Sequence, residues 1–316
     1  MRRVQAPSRG REDARVAISM RAVVTGGAGF IGSNLVDALV ARGDDVTVLD
    51  NFSSGKRKNV NPAATLFEHD IREPFAVDAD VVFHLAAQAD VQTSMKDPAY
   101  DAAVNVVGTT NVLVAARDAQ VIFASSGGAG YGEGPEPATE GSPFLPLSPY
   151  GIAKKCGEEY LAGWNRIHGT SHVSLRFGNV YGERQDSGLE GGVVAIFLER
   201  MARGGETVIY GDGEQQRDFV YVGDVVTAML ATVGKSGGPF NVGTGVGTTV
   251  NDLHAACRRA AGLDAEPVHR DARLGDVIRS VIDPSRAARE LGWRAEVSLD
   301  DGIARTWAWT KEAAAQ

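Results

Sequence analysis

A doubly wound parallel α/β sheet, followed by a smaller α+β unit towards the C-terminus, is the fold class that this sequence predicts. Three observations carry it. Short β-branched runs alternate with helix-like stretches. The runs are apolar throughout rather than at every second residue, as in strands covered on both faces. A glycine-spaced turn lies directly between the first run and the first helix. The chain has 316 residues, 43% hydrophobic and 23% charged, which is globular composition. At roughly 100–200 residues per domain, that length allows one large unit or two sharing a cleft.

Taken in order, the predicted strands are Ala22–Thr25, Val46–Asp50, Thr65–Glu68, Val81–Leu85, Val121–Ser125 and Val173–Phe177. Helices are expected over Ile31–Ala41, Pro98–Asp118 and Pro149–His168. After Gly178 the texture changes to longer loops rich in Gly, Arg and acidic residues. A helix is expected near Val193–Arg203, a strand near Thr207–Tyr210 and a last helix at about Asp300–Ala314. The resulting organisation is a tail over residues 1–19, a first unit over 20–178 that regains about 219–243, and a second unit from 179–218 and 244–316. The tail carries five arginines, and nothing hydrophobic follows Arg2-Arg3, so it reads as a flexible extension rather than an export signal.

Forty acidic and thirty-two basic residues give a net charge of −8. That balance disfavours non-specific binding to nucleic acid or to an anionic membrane. No apolar run approaches the ~18 residues of a membrane span. Two cysteines, Cys156 and Cys257, are too few for a disulfide framework or a zinc cluster, and the six histidines show no metal-ligand spacing. A soluble, cytoplasmic protein without a metal is expected. His84, Cys156 and Cys257 are taken as packing residues, and Trp293, Trp307 and Trp309 as filling the C-terminal core.

The turn Thr25-Gly26-Gly27-Ala28-Gly29-Phe30-Ile31-Gly32 spaces its glycines G-x-x-G-x-x-G, a variant of the Rossmann-type dinucleotide fingerprint. Gly26 permits the tight turn, Gly29 lets a diphosphate approach the backbone, and Gly32 lets the helix pack on the strand. The diphosphate then faces the positive end of the helix. Asp50 ends the second strand eighteen residues after Gly32, where a carboxylate accepts both ribose hydroxyls and repels a 2′-phosphate. NAD is therefore favoured over NADP, with Lys56 and Arg57 the nearby basic residues that could answer a 2′-phosphate.

Tyr150 and Lys154 stand four apart after Pro149, on one face of a helix. A phenol is a poor base at neutral pH. A neighbouring ammonium, with a cationic nicotinamide, would bring the phenolate into working range. Lys154 can also hydrogen-bond the nicotinamide ribose. Ser125 and Ser126 end the fifth strand at the carboxyl edge, where ligands bind in such sheets.

The ordered set TGGAGFIGSNL, LDNFSSGK, FHLAAQA, FASSGGAGYG, SPYGIAKK, LRFGNVYG, GDGEQQRDFVYVGD and RLGDVIRSVIDPSRAARELGW resembles the extended short-chain dehydrogenase/reductases. Among these it is most similar to the UDP-glucose 4-epimerase family, over about Arg21 to Ala308. The resemblance implies a UDP-sugar 4-epimerase that interconverts UDP-glucose and UDP-galactose through a 4-keto intermediate, with NAD tightly held. It places Asp50 and Asn51 on the adenosine ribose and Asp70 and Ile71 on the adenine. Leu85, Ala86 and Ala87 would line the cofactor, Asn105 would support it, and Tyr150 would be the acid/base with Lys154 as partner. Arg217 and Arg273 are expected on the UDP diphosphate, where guanidinium gives bidentate contact. Asn179 joins them there, with Val193, Val208 and Tyr210 around the uracil, Asp276 on a ribose hydroxyl, and Phe177 between nicotinamide and sugar.

Departures from the family pattern are informative. Its catalytic Ser or Thr falls four residues before the Tyr of Val-Tyr-Gly. That place holds Gly127, Ser126 stands one earlier, and Gly130 replaces the Val; Ser126 is the candidate hydroxyl. Dehydratases carry an Asp-Glu pair where this chain has Gly128-Ala129, so elimination of water is disfavoured. Ser280, four residues after Asp276, replaces a bulky residue that limits the sugar C2 substituent, so N-acetyl sugars are also expected to fit. A UDP-uronic acid epimerase or decarboxylase is the enzyme alternative, and a non-catalytic dinucleotide-binding regulator the alternative of another class. The resemblance further implies a homodimer through the helices at Pro98–Asp118 and Pro149–His168, with Val106, Val107, Leu113 and Leu161 as candidate contacts.

Overall fold

The computed structural model describes residues 19–134, 137–188, 192–264, 266–272 and 277–314. The tail expected over 1–19 lies, apart from Ser19, outside the described residues. In chain order the first half holds β1 (Arg21–Thr25), α1 (Phe30–Arg42), β2 (Asp45–Asp50), β3 (Thr65–Glu68), β4 (Val81–His84), α2 (Val91–Lys96), α3 (Pro98–Ala102), α4 (Gly108–Ala115), β5 (Gln120–Ser126), α5 (Pro149–His168) and β6 (Val173–Phe177). Then follow β7 (Asn179–Tyr181), α6 (Val193–Ala202), β8 (Val208–Tyr210), β9 (Gln216–Arg217), β10 (Phe219–Tyr221), α7 (Val222–Ala231) and β11 (Phe240–Val242). The chain closes with β12 (Thr248–Thr249), α8 (Val250–Ala261), β13 (Val268–Arg270), β14 (Arg279–Ser280), α9 (Ser285–Leu291) and α10 (Leu299–Ala314).

Seven strands form one parallel sheet in the order β11-β6-β5-β4-β1-β2-β3. Strands β1, β2, β4 and β5 carry apolar side chains towards two cores, one on each face, whereas β6 turns Val173, Leu175 and Phe177 to one core and Ser174 and Arg176 to the other side. Val24, Val48, Phe83 and Ile122 face Leu35, Val36, Val225 and Met229 of α1 and α7. Their neighbours Val23, Leu49, Val82 and Val121 face Val112, Leu113 and Leu161 of α4 and α5. A third core joins α6, α8 and α10 around Phe197, Leu253 and Ile303. It belongs to the smaller unit, whose short strands form separate two- and three-stranded sheets.

Four expectations are corrected. The helix expected over Pro98–Asp118 is interrupted by a π turn, Ala103–Val107, where three valines flank Asn105 and its side chain turns inward to the Gln88 carbonyl. Leu113 and Leu161 are fully buried against the sheet, so neither offers a surface for a second subunit. Trp293 lies in the core of the main sheet, its indole N–H donating to the Asp224 carbonyl at 3.0 Å, while Trp307 alone of the three packs on the C-terminal core. The segment after 244 also returns to the first sheet through α9, which brings Ala287 into that core.

Two buried histidines tie the sheet together. Thr25 and Thr109 hydroxyls hold the two ring nitrogens of His84 at 2.8 and 3.0 Å. His172 Nδ1 accepts from the Val121 N–H at 3.0 Å. Burial pushes His84 down to about 3 and His172 down to about 4. An unfolded imidazole takes its proton near pH 6.5, and these folded ones do not. Their stabilisation is therefore complete above pH 6.5 and is lost as pH falls towards 4 and then 3. His172→Asn keeps an acceptor for Val121 and removes one titrating group. Denaturant unfolding between pH 6.5 and 4 should then lose about 1.4 kcal/mol per pH unit of its slope; an unchanged slope would show that His172 is not the group responsible.

Candidate functional site

At the carboxyl edge of the sheet the chain leaves β1 and β4 towards opposite sides, which opens a crevice between them. A cavity of about 490 Å³ lies there, and it gathers Gly26, Gly29, Phe30, Ile31, Gly32, Asp50, Asn51, Asp70, Ile71, Leu85, Ala86, Ala87, Ser125, Tyr150, Lys154 and Phe177. Asn105 stands one layer behind, accepting from the Gln88 N–H at 3.0 Å and donating to Asp101 at 2.9 Å.

The glycines meet real steric demands. Gly26 has φ +71°, and a Cβ there would lie 2.7 Å from the Ala86 nitrogen. A Cβ on Gly32 would lie 2.1 Å from the Gly26 carbonyl oxygen. Gly29 caps α1 without a side-chain hydrogen bond, and no acidic residue sits in the first turn. The positive helix end is thus left for an anion. Asp50 is 6% exposed, accepting from the Ala28 and Phe52 N–H groups at 2.9 and 2.8 Å. Each oxygen keeps a lone pair for a ribose hydroxyl. Gly55 packs on this carboxylate so closely that a Cβ would lie 2.9 Å from both oxygens.

The two basic residues near Asp50 are already engaged. Lys56 pairs with Asp186. Arg57 pairs with Glu68 at 2.5 Å and stacks 4.1 Å from the Phe52 ring centroid. Neither is left over for a 2′-phosphate, which fits NAD. Asp70, expected at the adenine, lines the cleft and is gripped by the Arg72 guanidinium and by Asn51, and Arg72 holds its carboxyl well below the usual range. The glycine cradle, the uncapped helix and Asp50 together fit NAD.

Tyr150 opens α5 beside the end of β5, close to Ser126. Burial pushes the phenol up to about 12, against the opposing pull of Ser126. The Lys154 ammonium donates to the Ala124 carbonyl at 2.9 Å and lies over the tyrosine ring, 5.6 Å from the centroid. Burial also drops Lys154 to about 8, with Asp101 pulling the other way. Ser125 lines the cleft, but its hydroxyl donates to Glu158 at 2.5 Å, and Glu158 is locked in a buried ion pair with Arg176 at 2.6 Å.

Ser126, rather than Gly127, thus stands beside Tyr150, because one extra residue separates it from Tyr131. Gly127 is confined, since its Cβ would lie 3.0 Å from Ile282 Cγ2. At Gly130 the Phe144 ring fills the side-chain space, 1.9 Å from where a Cβ would stand. The sequence departures at 127 and 130 are therefore packing substitutions.

The substrate-side residues are spread over the smaller unit. Asn179 begins β7 beside Gly128, Val193 opens α6, and Val208 and Tyr210 bound β8. Arg217 on β9 pairs in register with Ser280 on β14. None of these six lines the main cleft, whereas Phe177 does. A second cavity of about 460 Å³, lined by Glu133, Gly134, Val277, Ile278 and Arg279, opens next to β14. Arg273 and Asp276 lie outside the described residues. Among the described residues no group of His, Cys, Asp and Glu is arranged to hold a metal ion, and no helix is long and apolar enough to cross a membrane. Sequence reasoning missed Gln88, Arg184, Gln185 and Asp186 in the cleft wall; the only local signal was the charged run Glu183–Asp186 after an aromatic-glycine pair.

Residues 22–243 match the model of the NAD dependent epimerase/dehydratase family. The chain is 45% identical over 304 residues to the UDP-glucose 4-epimerase of Mycolicibacterium smegmatis, covering 91% of this chain and 97% of that one. It is similar to the crystal structure of UDP-glucose 4-epimerase with UDP-glucose from Thermotoga maritima, with TM-score 0.88 and 44% identity over 93% of this chain and 100% of that one. The Thermus thermophilus UDP-glucose 4-epimerase complex with NAD matches with TM-score 0.86 and 42% identity, again over 93% and 100%.

The Gly130 packing generates a test. Gly130→Val, which restores the family residue, should cost about 3 kcal/mol or more by overpacking, read as a lowered denaturation midpoint. Adding Phe144→Ala should recover part of that loss, because the two side chains compete for one volume. Strictly additive losses would show that they do not.

Proposed function

The chain belongs to the NAD dependent epimerase/dehydratase family, and from that premise we propose that it is a UDP-sugar 4-epimerase interconverting UDP-glucose and UDP-galactose. The observation that carries this reading is that Tyr150 and Lys154 line a cleft fitted for NAD, with Ser126 next to Tyr150. Elimination chemistry has no support, since Gly128 and Ala129 occupy the place of the dehydratases' carboxylates.

Bound NAD supplies a two-electron acceptor that is regenerated within each turnover. Tyr150 takes the proton of the C4 hydroxyl as the C4–H bond breaks, and Ser126 holds the same oxygen. The 4-keto sugar then turns about its diphosphate linkage, presenting its other face. Tyr150 returns the proton to the carbonyl oxygen as the C–H bond re-forms. Lys154 keeps a positive charge over the Tyr150 ring and would hold the nicotinamide ribose. Positioning and preorganised charge supply the rate. On the sugar side, Ser280 leaves room at C2 that a phenol would fill, so the N-acetyl sugar is a second substrate.

Product chromatography tests the panel. Wild type should convert UDP-glucose and UDP-N-acetylglucosamine without added cofactor. Tyr150→Phe should lose at least about a thousandfold in kcat with NAD still bound, and Ser126→Ala about a hundredfold. Ser280→Tyr should keep UDP-glucose and lose the N-acetyl sugar. Near-wild-type turnover by Tyr150→Phe removes the mechanism; wild type that ignores the N-acetyl sugar removes the Ser280 role.

We further propose a cytoplasmic homodimer. With Leu113 and Leu161 buried, the candidate interface is a stripe of exposed apolar side chains: Val107 at the end of the π turn and Val114 on α4, Tyr160 and Ile167 on α5. Each pair is seven residues apart, which places it on one helix face. Light scattering should give twice the 33.4 kDa chain mass, and Val114→Glu with Ile167→Glu should halve it. A wild-type mass of one chain excludes the dimer.

A further inference from the structure

Asp101 is a buried acid that the proposed reaction does not use. It lies on α3, which packs against α5, and none of its surface reaches solvent. Its Oδ1 accepts from the Gln88 and Asn105 side-chain amides, both at 2.9 Å. Its Oδ2 is buried without a hydrogen-bond partner among the described residues. A carboxylate in such a place is costly unless an opposite charge faces it. That charge is Lys154, itself buried, on the α5 side of the contact.

The other groups around this pair are committed elsewhere. Glu158, one turn after Lys154, is locked to Arg176 and accepts from Ser125. His84 on β4 also faces Lys154, and burial keeps its ring neutral. Lys155 donates to the Phe144 carbonyl at 3.1 Å. Towards α2, Asp90 and Asp97 cap helices by accepting from the Thr93 and Tyr100 N–H groups, and Lys96 is exposed. The π turn carries no charged side chain. Asp101 is thus the acid that acts on the Lys154 ammonium, and its field also reaches Tyr150.

We propose that Asp101 is a positioning residue for this reaction, the buried counter-charge that keeps the Lys154 ammonium charged when a positive nicotinamide is brought beside it. The proposal rests on the NAD reading of the cleft. Two like charges in a site of low polarity disfavour each other, and a lysine relieves the conflict by losing its proton. Burial already drops Lys154 to about 8, with Asp101 pulling the other way. Little margin remains near neutral pH, and the carboxylate supplies it. The same negative charge opposes the Tyr150 phenolate. Removing it should therefore lower the titration of both groups together, whereas a residue that only packs α3 on α5 would leave them unmoved.

The test follows Lys154 directly and then the reaction. In protein stripped of nucleotide, NMR of lysine isotopically labelled at Cε reports the Lys154 titration, its signal assigned by its loss in Lys154→Met. Wild type should titrate near 8. Asp101→Asn keeps the shape, removes the charge and should lower that midpoint by about one pH unit. In the loaded enzyme, both limbs of the pH profile of kcat should move towards acid in Asp101→Asn; a profile that only loses height marks a structural role and overturns the proposal. So does an unchanged Lys154 midpoint in the folded variant. Should Asp101→Asn not fold, wild type loaded with NAD decides: its Lys154 must remain an ammonium at neutral pH, and a neutral amine there overturns the counter-charge. A stripped wild type that takes up no NAD overturns the reading of the cleft instead, a failure distinct from an unmoved Lys154.

Discussion

Lys154 Nζ donates to the carbonyl oxygen of Ala124 at 2.9 Å, and this contact fixes α5 against the sheet at the depth the site needs. The ammonium is 4% exposed, so it resides in a medium that penalises charge. It tolerates that position because the carbonyl, the Phe123 ring at 4.9 Å and the Tyr150 ring at 5.6 Å all present negative electron density. Close approach is possible because Gly157, almost one turn further on, lies against Phe123; a Cβ there would stand 2.6 Å from the ring. One turn before Lys154 is Tyr150, and one turn after it is Glu158, which binds Arg176 on β6. Three side chains at four-residue spacing thus bind or address three successive places on the sheet. Arg176 extends the line to the Tyr131 hydroxyl at 2.9 Å and Tyr131 to Asn241 at 2.6 Å, so the loop after Ser126 is positioned by the same helix that carries the tyrosine.

Much of this was legible before any coordinates. Apolar strands of four to seven residues gave the parallel sheet, because strands covered twice leave no polar face to alternate with. Glycine spacing located the cleft, since its steric cause is local to Gly26 and Gly32. What escaped depends on contacts distant in sequence. The π turn at Asn105 follows from Gln88, seventeen residues earlier. Gly130 looked like a departure until Phe144, fourteen residues on, occupied its volume. Trp293 belongs to the first core because α9 folds back onto β11, and no periodicity announces such a return. Within the site, the cofactor residues could be assigned to one cleft from motifs. The turn after β7 could not, since its partners Asn34, Asp37 and Lys56 sit about 130 to 150 residues away.

The electrostatics of the protein alone oppose the chemistry proposed for it. Burial holds the Tyr150 proton on until about pH 12 and takes the Lys154 proton off above about pH 8. Near neutral pH that pair is a neutral phenol beside an ammonium, and a neutral phenol is no base. A positive charge brought next to Tyr150 stabilises its phenolate and so lowers its pKa. The oxidised nicotinamide carries such a charge and the reduced one does not. With NAD bound beside it, the basicity of Tyr150 would follow the redox state of the cofactor: proton abstraction would be favoured when the sugar is to be oxidised, and proton return once it has been. This coupling requires that the nicotinamide stay beside Tyr150 in both states. A grip on the diphosphate, far from the reacting ring, would leave the ring's own contacts unaltered as its charge changes. A grip on the invariant part of the cofactor, such as the glycine turn and the open end of α1 offer, would hold both redox forms alike and keep the forward and return halves of the reaction equally accessible.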